Sequence, residues 1–188
     1  MSKKSLLFGV GINDYNAQVK TKGIHLDSYE RWKILLQRCY SKKFQVSHPQ
    51  YVGCVVCNEW LSYSNFKKWY DKYYIQGYDL DKDILVKGNK IYSPNTCCFV
   101  PHEINILIRD YNYKDKHFNL PTGISYDKLR NKYKAGGYFN SIQKRFDSIN
   151  DAISYYNKVK KEYIKKIAEE YYKSNKISEN VYIALKNY

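Results

Sequence analysis

Three groups of residues have types and spacings that could do chemistry. The first is Tyr78-Asp-Leu-Asp-Lys-Asp-Ile-Leu-Val86, in which Asp79, Asp81 and Asp83 alternate. On an extended strand that spacing points the carboxylates to one face. Hard carboxylate oxygens suit Mg²⁺ or Mn²⁺. A solvated strand face beside Lys82, Lys87 and Lys90 is the other reading. The second group is Cys54-x-x-Cys57 with the adjacent pair Cys97 and Cys98. Four thiolates could hold a structural Zn²⁺ tetrahedrally. The first pair has ligand spacing and the second does not, so buried thiols are the alternative. The third group is basic. Lys128, Arg130, Lys132, Lys134, Lys144 and Arg145 fall between residues 128 and 145 with no acidic residue among them. Arg130, Lys132 and Lys134 share parity, so a strand there lines them on one face, as a phosphate backbone requires. An ordinary lysine-rich surface is the bland alternative.

The pattern of apolar residues says which elements must position these groups. Residues 1–26 read as an irregular arm. Asp27 or Ser28 caps a helix to about Tyr40, with Trp32, Leu35, Leu36 and Cys39 on one side. Residues 41–53 read as loop. Ser64 caps a second helix with a buried stripe of Phe66, Trp69, Tyr70 and Tyr73. Residues 78–92 then read as a β-hairpin turning at Gly88-Asn89, and Pro101 opens a helix carrying Ile104, Leu107 and Ile108. Together 78–109 spell a ββα unit. Residues 110–121 read as a polar linker. Beyond it come three strands, around 123–127, 132–135 and 141–146, and a long helix capped by Ser148. Its apolar stripe is read as Ile149, Ile153, Tyr156, Val159, Tyr163, Ile167 and Tyr171, and Lys158, Lys160, Lys161, Lys165 and Lys166 as its solvated side. The fold class is therefore α+β: an N-terminal module over 1–109 and a three-stranded sheet with a long helix over 122–188.

Composition narrows the function. The 188 residues carry a net charge of +14, shared between both modules, which favours a polyanionic partner. At 44% hydrophobic the chain can bury a core, which excludes wholesale disorder. No apolar run is long enough to span a membrane, and the start has no signal-peptide pattern, so a cytoplasmic protein is expected. Five cysteines, an odd number, argue against a disulfide scaffold.

The run Leu80-Asp-Lys-Asp-Ile-Leu-Val-Lys-Gly-Asn-Lys-Ile-Tyr-Ser-Pro-Asn-Thr-Cys-Cys-Phe-Val-Pro101, with Val56-Cys57-Asn-Glu-Trp60 before it, resembles the phage-type HNH endonucleases. Gly123-Ile-Ser-Tyr-Asp127, Lys132-Tyr-Lys-Ala135 and Phe146-Asp-Ser-Ile-Asn-Asp-Ala152 look like the AP2 DNA-binding domain. The resemblance implies a ββα-metal site that hydrolyses phosphodiester bonds with a divalent ion. On this sequence it places metal ligands at Asp81, Asp83 and Asn105, and a catalytic group at the position of Lys82. His102, at the start of the site helix, is the candidate for a displaced base. It implies double-stranded DNA as partner, held by Lys128, Arg130, Lys132, Lys134, Lys144 and Arg145. The sequence departs from the family where the chemistry is concentrated: Lys82 stands at the expected histidine and Thr96 at the expected asparagine. A protein of this scaffold that binds DNA without cutting it, or that binds a host protein, is the alternative. For Asn105 an exposed helix position is the plain expectation.

Overall fold

The computed structural model describes residues 6–108, 120–137 and 140–188. The chain is mixed α+β and forms two compact units, Met1–Phe99 and Val100–Tyr188.

In the first unit the arm is more ordered than expected. Lys20–Thr21 (β1) and Ile24–His25 (β2) make a small hairpin, turned by Lys22 and Gly23 at positive φ. Asp27–Tyr40 forms α1, as its periodicity predicts. Ser28 does not cap it; the side chain is buried and shares a hydrogen bond with the Tyr63 hydroxyl at 2.7 Å. The stretch expected as loop contains α2 (Lys42–Ser47), whose N-cap Ser41 accepts from the Phe44 N–H. Then follow β3 (Val55–Val56), α3 (Tyr63–Tyr73), β4 (Tyr78–Asp81), β5 (Ile91–Tyr92) and β6 (Cys98–Pro101). The core gathers Trp32, Leu35, Leu36, Trp60, Tyr63 and Phe66, and the Trp32 indole N–H donates to the Trp60 carbonyl at 2.7 Å. Trp69 packs at its edge and Tyr73 is exposed, so the α3 stripe is narrower than its sequence suggests. The arm closes over this core at Gly11, where a β-carbon would stand 2.4 Å from Leu36 Cδ1; only glycine lets the backbone come that near.

The expected hairpin over 78–92 does not form. β4 pairs with β6, while β5 leaves to pair parallel with β3, Val55 opposite Ile91 and Val56 opposite Tyr92. Gly88-Asn89 is therefore part of a wider excursion between β4 and β6. Its backbone is held by side chains instead of a ladder. The order strand–strand–helix survives, because α4 (His102–Ile108) follows β6 directly.

In the second unit β7 (Ile124–Asp127), β8 (Lys132–Gly137) and β9 (Asn140–Phe146) form an antiparallel sheet in the order β7-β8-β9. The helix α5 (Ile149–Lys173), capped by Ser148 accepting from the Asn150 N–H, packs on it. Leu120, Ile124, Ala135 and Ala152 are the buried centre. Gly123, at φ +81°, lies so close to the Tyr156 ring that a β-carbon would overlap it. The last helix, α6 (Glu179–Lys186), packs back on α5. That changes which side of α5 is covered. The most buried positions are Ala152, Lys160, Ile164 and Ala168, while Tyr163 and Ile167 are half-buried. Lys160, expected among the solvated lysines, is only 8% exposed, its ammonium 5.8 Å from the Tyr188 ring centroid. The unit boundary also differs from the expected one at 109. α4 groups with α5, and the Tyr188 hydroxyl donates to the Ile108 carbonyl. Residues 110–119 of the expected linker lie outside the described residues. No described helix is long and apolar enough to cross a membrane.

Candidate nucleic-acid interface

Strand pairing sorts the basic residues by face. Ile124 is opposite Ala135 and Tyr126 opposite Tyr133, and these four turn toward α5. The alternate positions make the outer face. Ser125, Lys134 and Arg145 form one row across it, and Asp127 is opposite Lys132 in the next. Lys128 and Arg130 stand in the β7–β8 turn. Lys144 goes the other way. It is opposite Ala135 on the helix side, with its ammonium 5.5 Å from the Phe146 ring centroid and 5.3 Å from that of Tyr155.

The outer face is less bare than its sequence implies. The acids flanking the basic run, Asp127 and Asp147, fall on the same face. Asp127 Oδ2 accepts from Arg145 Nε at 2.8 Å and Arg130 Nη1 at 3.3 Å. The hydrogen bond from Arg145 is the main reason its carboxyl is held below the usual range. Lys132 pairs with Asp147 at 3.2 Å. Lys134 makes no ion pair with any described residue. Parity could have revealed this: Asp127 is one step from the run and in register with its basic face. Exposed ion pairs are weak and screened.

In the first unit the segment after β4 is a closed knot of polar contacts. Asp81 Oδ1 accepts from the N–H groups of Asp83 and Ile84, both at 2.7 Å, in an Asx-type turn. Lys82 is only 9% exposed. Its ammonium donates to both oxygens of Asp83 at 2.7 and 2.8 Å and to the Asn89 carbonyl at 2.6 Å, 5.9 Å from the Tyr92 ring centroid. The Asn89 amide donates to the carbonyls of Lys82 and Ile91 and accepts from the Ile91 N–H. Thr96 donates to the same Ile91 carbonyl. Burial dominates at Asp81 and raises its carboxyl above the usual value, against the two backbone donors.

These contacts do not fit the expected Mg²⁺ or Mn²⁺ site. Both Asp83 oxygens are taken by a lysine, and one Asp81 oxygen is spent on backbone. A cation there would have to displace an ammonium already paired. The other two expected residues stand on α4. Asn105 is 1% exposed, between the buried Ile104 and Leu107 of α4, not on an exposed helix face. His102 opens that helix and is exposed.

The cysteines are free thiols. Cys54 and Cys97 are buried in the aromatic core with Cys39, and Cys57 and Cys98 are half-buried. Burial pushes the Cys97 thiol up to about 12 and raises those of Cys57 and Cys98. Among the described residues no three His, Cys, Asp or Glu side chains converge as a metal site would require. Of the two asparagines that could stand in for Thr96 by a shift, Asn95 and Asn89, it is Asn89 that partners Lys82; sequence reasoning missed Asp14, which accepts from the hydroxyls of Ser62 and Ser64 and from the Ser64 N–H. No protein-family model, curated protein or solved structure matches this chain.

Proposed function

We propose that this chain binds duplex DNA through the outer face of the β7–β8–β9 sheet, and that the segment Asp81–Asn89 serves as a structural brace in place of a hydrolytic centre. The carrying observation is the sorting of Lys132, Lys134 and Arg145 onto one sheet face, with Lys128 and Arg130 in the adjoining turn and the apolar residues on the other side. A rigid sheet presents these cations at fixed spacing, and each contact with a phosphate releases condensed counterions. Phosphate contacts of this kind position a duplex without reading its sequence. On the first unit, the ion pair of Lys82 with Asp83 supports the non-hydrolytic reading, because an ammonium bound to a carboxylate is a poor general base.

The experiment is a salt titration of binding to a labelled duplex by fluorescence anisotropy. The logarithm of affinity should fall linearly with the logarithm of salt, with a slope of about −0.9 per phosphate contacted. The variant Lys132→Ala/Lys134→Ala/Arg145→Ala should bind weakly to every sequence and with a shallower slope. Unchanged binding by that variant moves the site off the sheet. In parallel, supercoiled plasmid is incubated with Mg²⁺ or Mn²⁺. Nicking that is lost in EDTA and in Asp81→Ala would restore the hydrolytic reading.

A further inference from the structure

The β7–β8 turn carries an apolar side chain where none is needed for folding. Leu129 is 94% exposed, more than any other large hydrophobic residue described. The turn is held without it. The Arg130 N–H donates to the Asp127 carbonyl at 3.2 Å and to Asp127 Oδ1 at 3.3 Å. Asn131 takes a positive φ of 52°, and its side chain accepts from the Tyr126 hydroxyl. That combination, a tight turn followed by a left-handed residue, is a standard closure for a short hairpin loop. It fixes Leu129 at the tip, pointing away from the sheet's core. Its sequence neighbours on either side are Lys128 and Arg130, and behind it on the same hairpin are Lys132 and Lys134.

Single exposed leucines are common on protein surfaces; what sets this one apart is its place at the tip of a hydrogen-bonded turn between Lys128 and Arg130, whose charges favour a partner carrying negative groups. It must combine a negative surface with an apolar recess. Duplex DNA offers both: phosphates line each groove, and stacked base edges form its floor. Apolar side chains, leucine among them, enter base steps as wedges and bend the duplex.

We propose that Leu129 is such a wedge, seated against the bases of a DNA groove while Lys128 and Arg130 take the flanking phosphates. This rests on the duplex-binding proposal above. The turn's own hydrogen bonds pre-pay the ordering of the tip, so the side chain arrives already oriented.

The test uses the full chain and a short duplex labelled at both ends, so that one titration reports affinity and end-to-end energy transfer reports bending. Leu129→Ala leaves every turn hydrogen bond in place. It should lose about ten-fold in affinity, keep the wild-type salt slope and abolish the change in energy transfer. Lys128→Ala/Arg130→Ala should instead lower the slope by about two phosphate contacts. Leu129→Ala with wild-type affinity and bending overturns the wedge while leaving sheet binding intact. Loss of binding to phosphatidylserine vesicles in Leu129→Ala, with DNA binding unchanged, assigns the tip to a membrane surface and also overturns it. Wild-type protein that binds no duplex overturns both proposals together.

Discussion

Lys82 and Asn89 hold each other twice. The Lys82 ammonium donates to the Asn89 carbonyl at 2.6 Å, and the Asn89 amide donates to the Lys82 carbonyl at 2.9 Å. The two residues thus close the excursion between β4 and β6 at the point where no strand ladder can. The resemblance to HNH endonucleases expects a histidine at Lys82, oriented by an asparagine. Here an asparagine does orient the residue at that position, but the group it orients is a cation bound to Asp83, and what the pair secures is backbone.

The pair's structural role predicts coupled stabilities. Asn89→Ala removes the donor to the carbonyls of Lys82 and Ile91, and should cost about 1–3 kcal/mol in urea unfolding. Lys82→Met keeps most of the buried stem and deletes the ammonium, leaving the Asn89 carbonyl and the Asp83 carboxylate unpaired. The double mutant should lose less than the sum of the two, with a coupling of about 0.5–3 kcal/mol. Additive losses would mean that the two residues act independently.

How much of this was legible in the sequence differs by element. α1, α5 and the three strands of the second sheet follow from periodicity and from Ser148, because local pattern and tertiary packing agree there. The 78–92 hairpin failed because a glycine-asparagine turn signal was outcompeted by a partner far away in sequence: Ile91 pairs with Val55, and no local rule foretells a parallel pairing over that separation. The start of α3 failed for the same reason. Its Ser64 N–H is capped by Asp14, 50 residues earlier, through an arm that sequence reads as irregular. Lys160 falls on the side of α5 that its sequence marks as solvated, and it is buried because α6 covers α5 on a second side. At the candidate interface the parity of Lys132 and Lys134 was readable, and so was the place of Asp127 on the same face, but that one carboxylate is shared by Arg130 and Arg145 depends on the turn bringing both to it.

Asp81 gives a pH-dependent prediction with a definite sign. Burial raises its carboxyl above the ordinary value of 3.8 in the folded protein. A raised folded value means that the native state binds its proton more tightly than the unfolded chain does. The associated stability is complete below 3.8 and is lost as pH rises through the folded value. At neutral pH the ionised, half-buried carboxylate is therefore a cost. Asp81→Asn keeps an oxygen to accept from the N–H groups of Asp83 and Ile84 and removes the charge. It should be more stable than wild type at pH 7, and the advantage should shrink toward pH 4 in urea titrations across that range. A variant less stable than wild type at pH 7 would mean that the negative charge itself is used there, for instance by a cation.

The last prediction concerns Asp127, whose carboxylate sits among the cations proposed to contact DNA. It holds Arg145 at 2.8 Å and Arg130 at 3.3 Å, and its other oxygen accepts from the Arg130 N–H. Asp127→Asn retains an acceptor for that N–H, so the β7–β8 turn should persist. It deletes the anion that competes with phosphate for both arginines. Both arginine partners are exposed, so losing these ion pairs should cost the fold little. Duplex affinity at low salt should rise by a few-fold to about ten-fold, and the salt slope should steepen by up to about 0.9, the increment for one more phosphate contact. Asp147→Asn should act in the same direction through Lys132 alone, and more weakly, because Asp147 holds a single cation. Were Asp127→Asn to fold normally and bind with unchanged affinity and slope, Arg130 and Arg145 would lie outside the interface, leaving Lys128, Lys132 and Lys134 to carry the duplex.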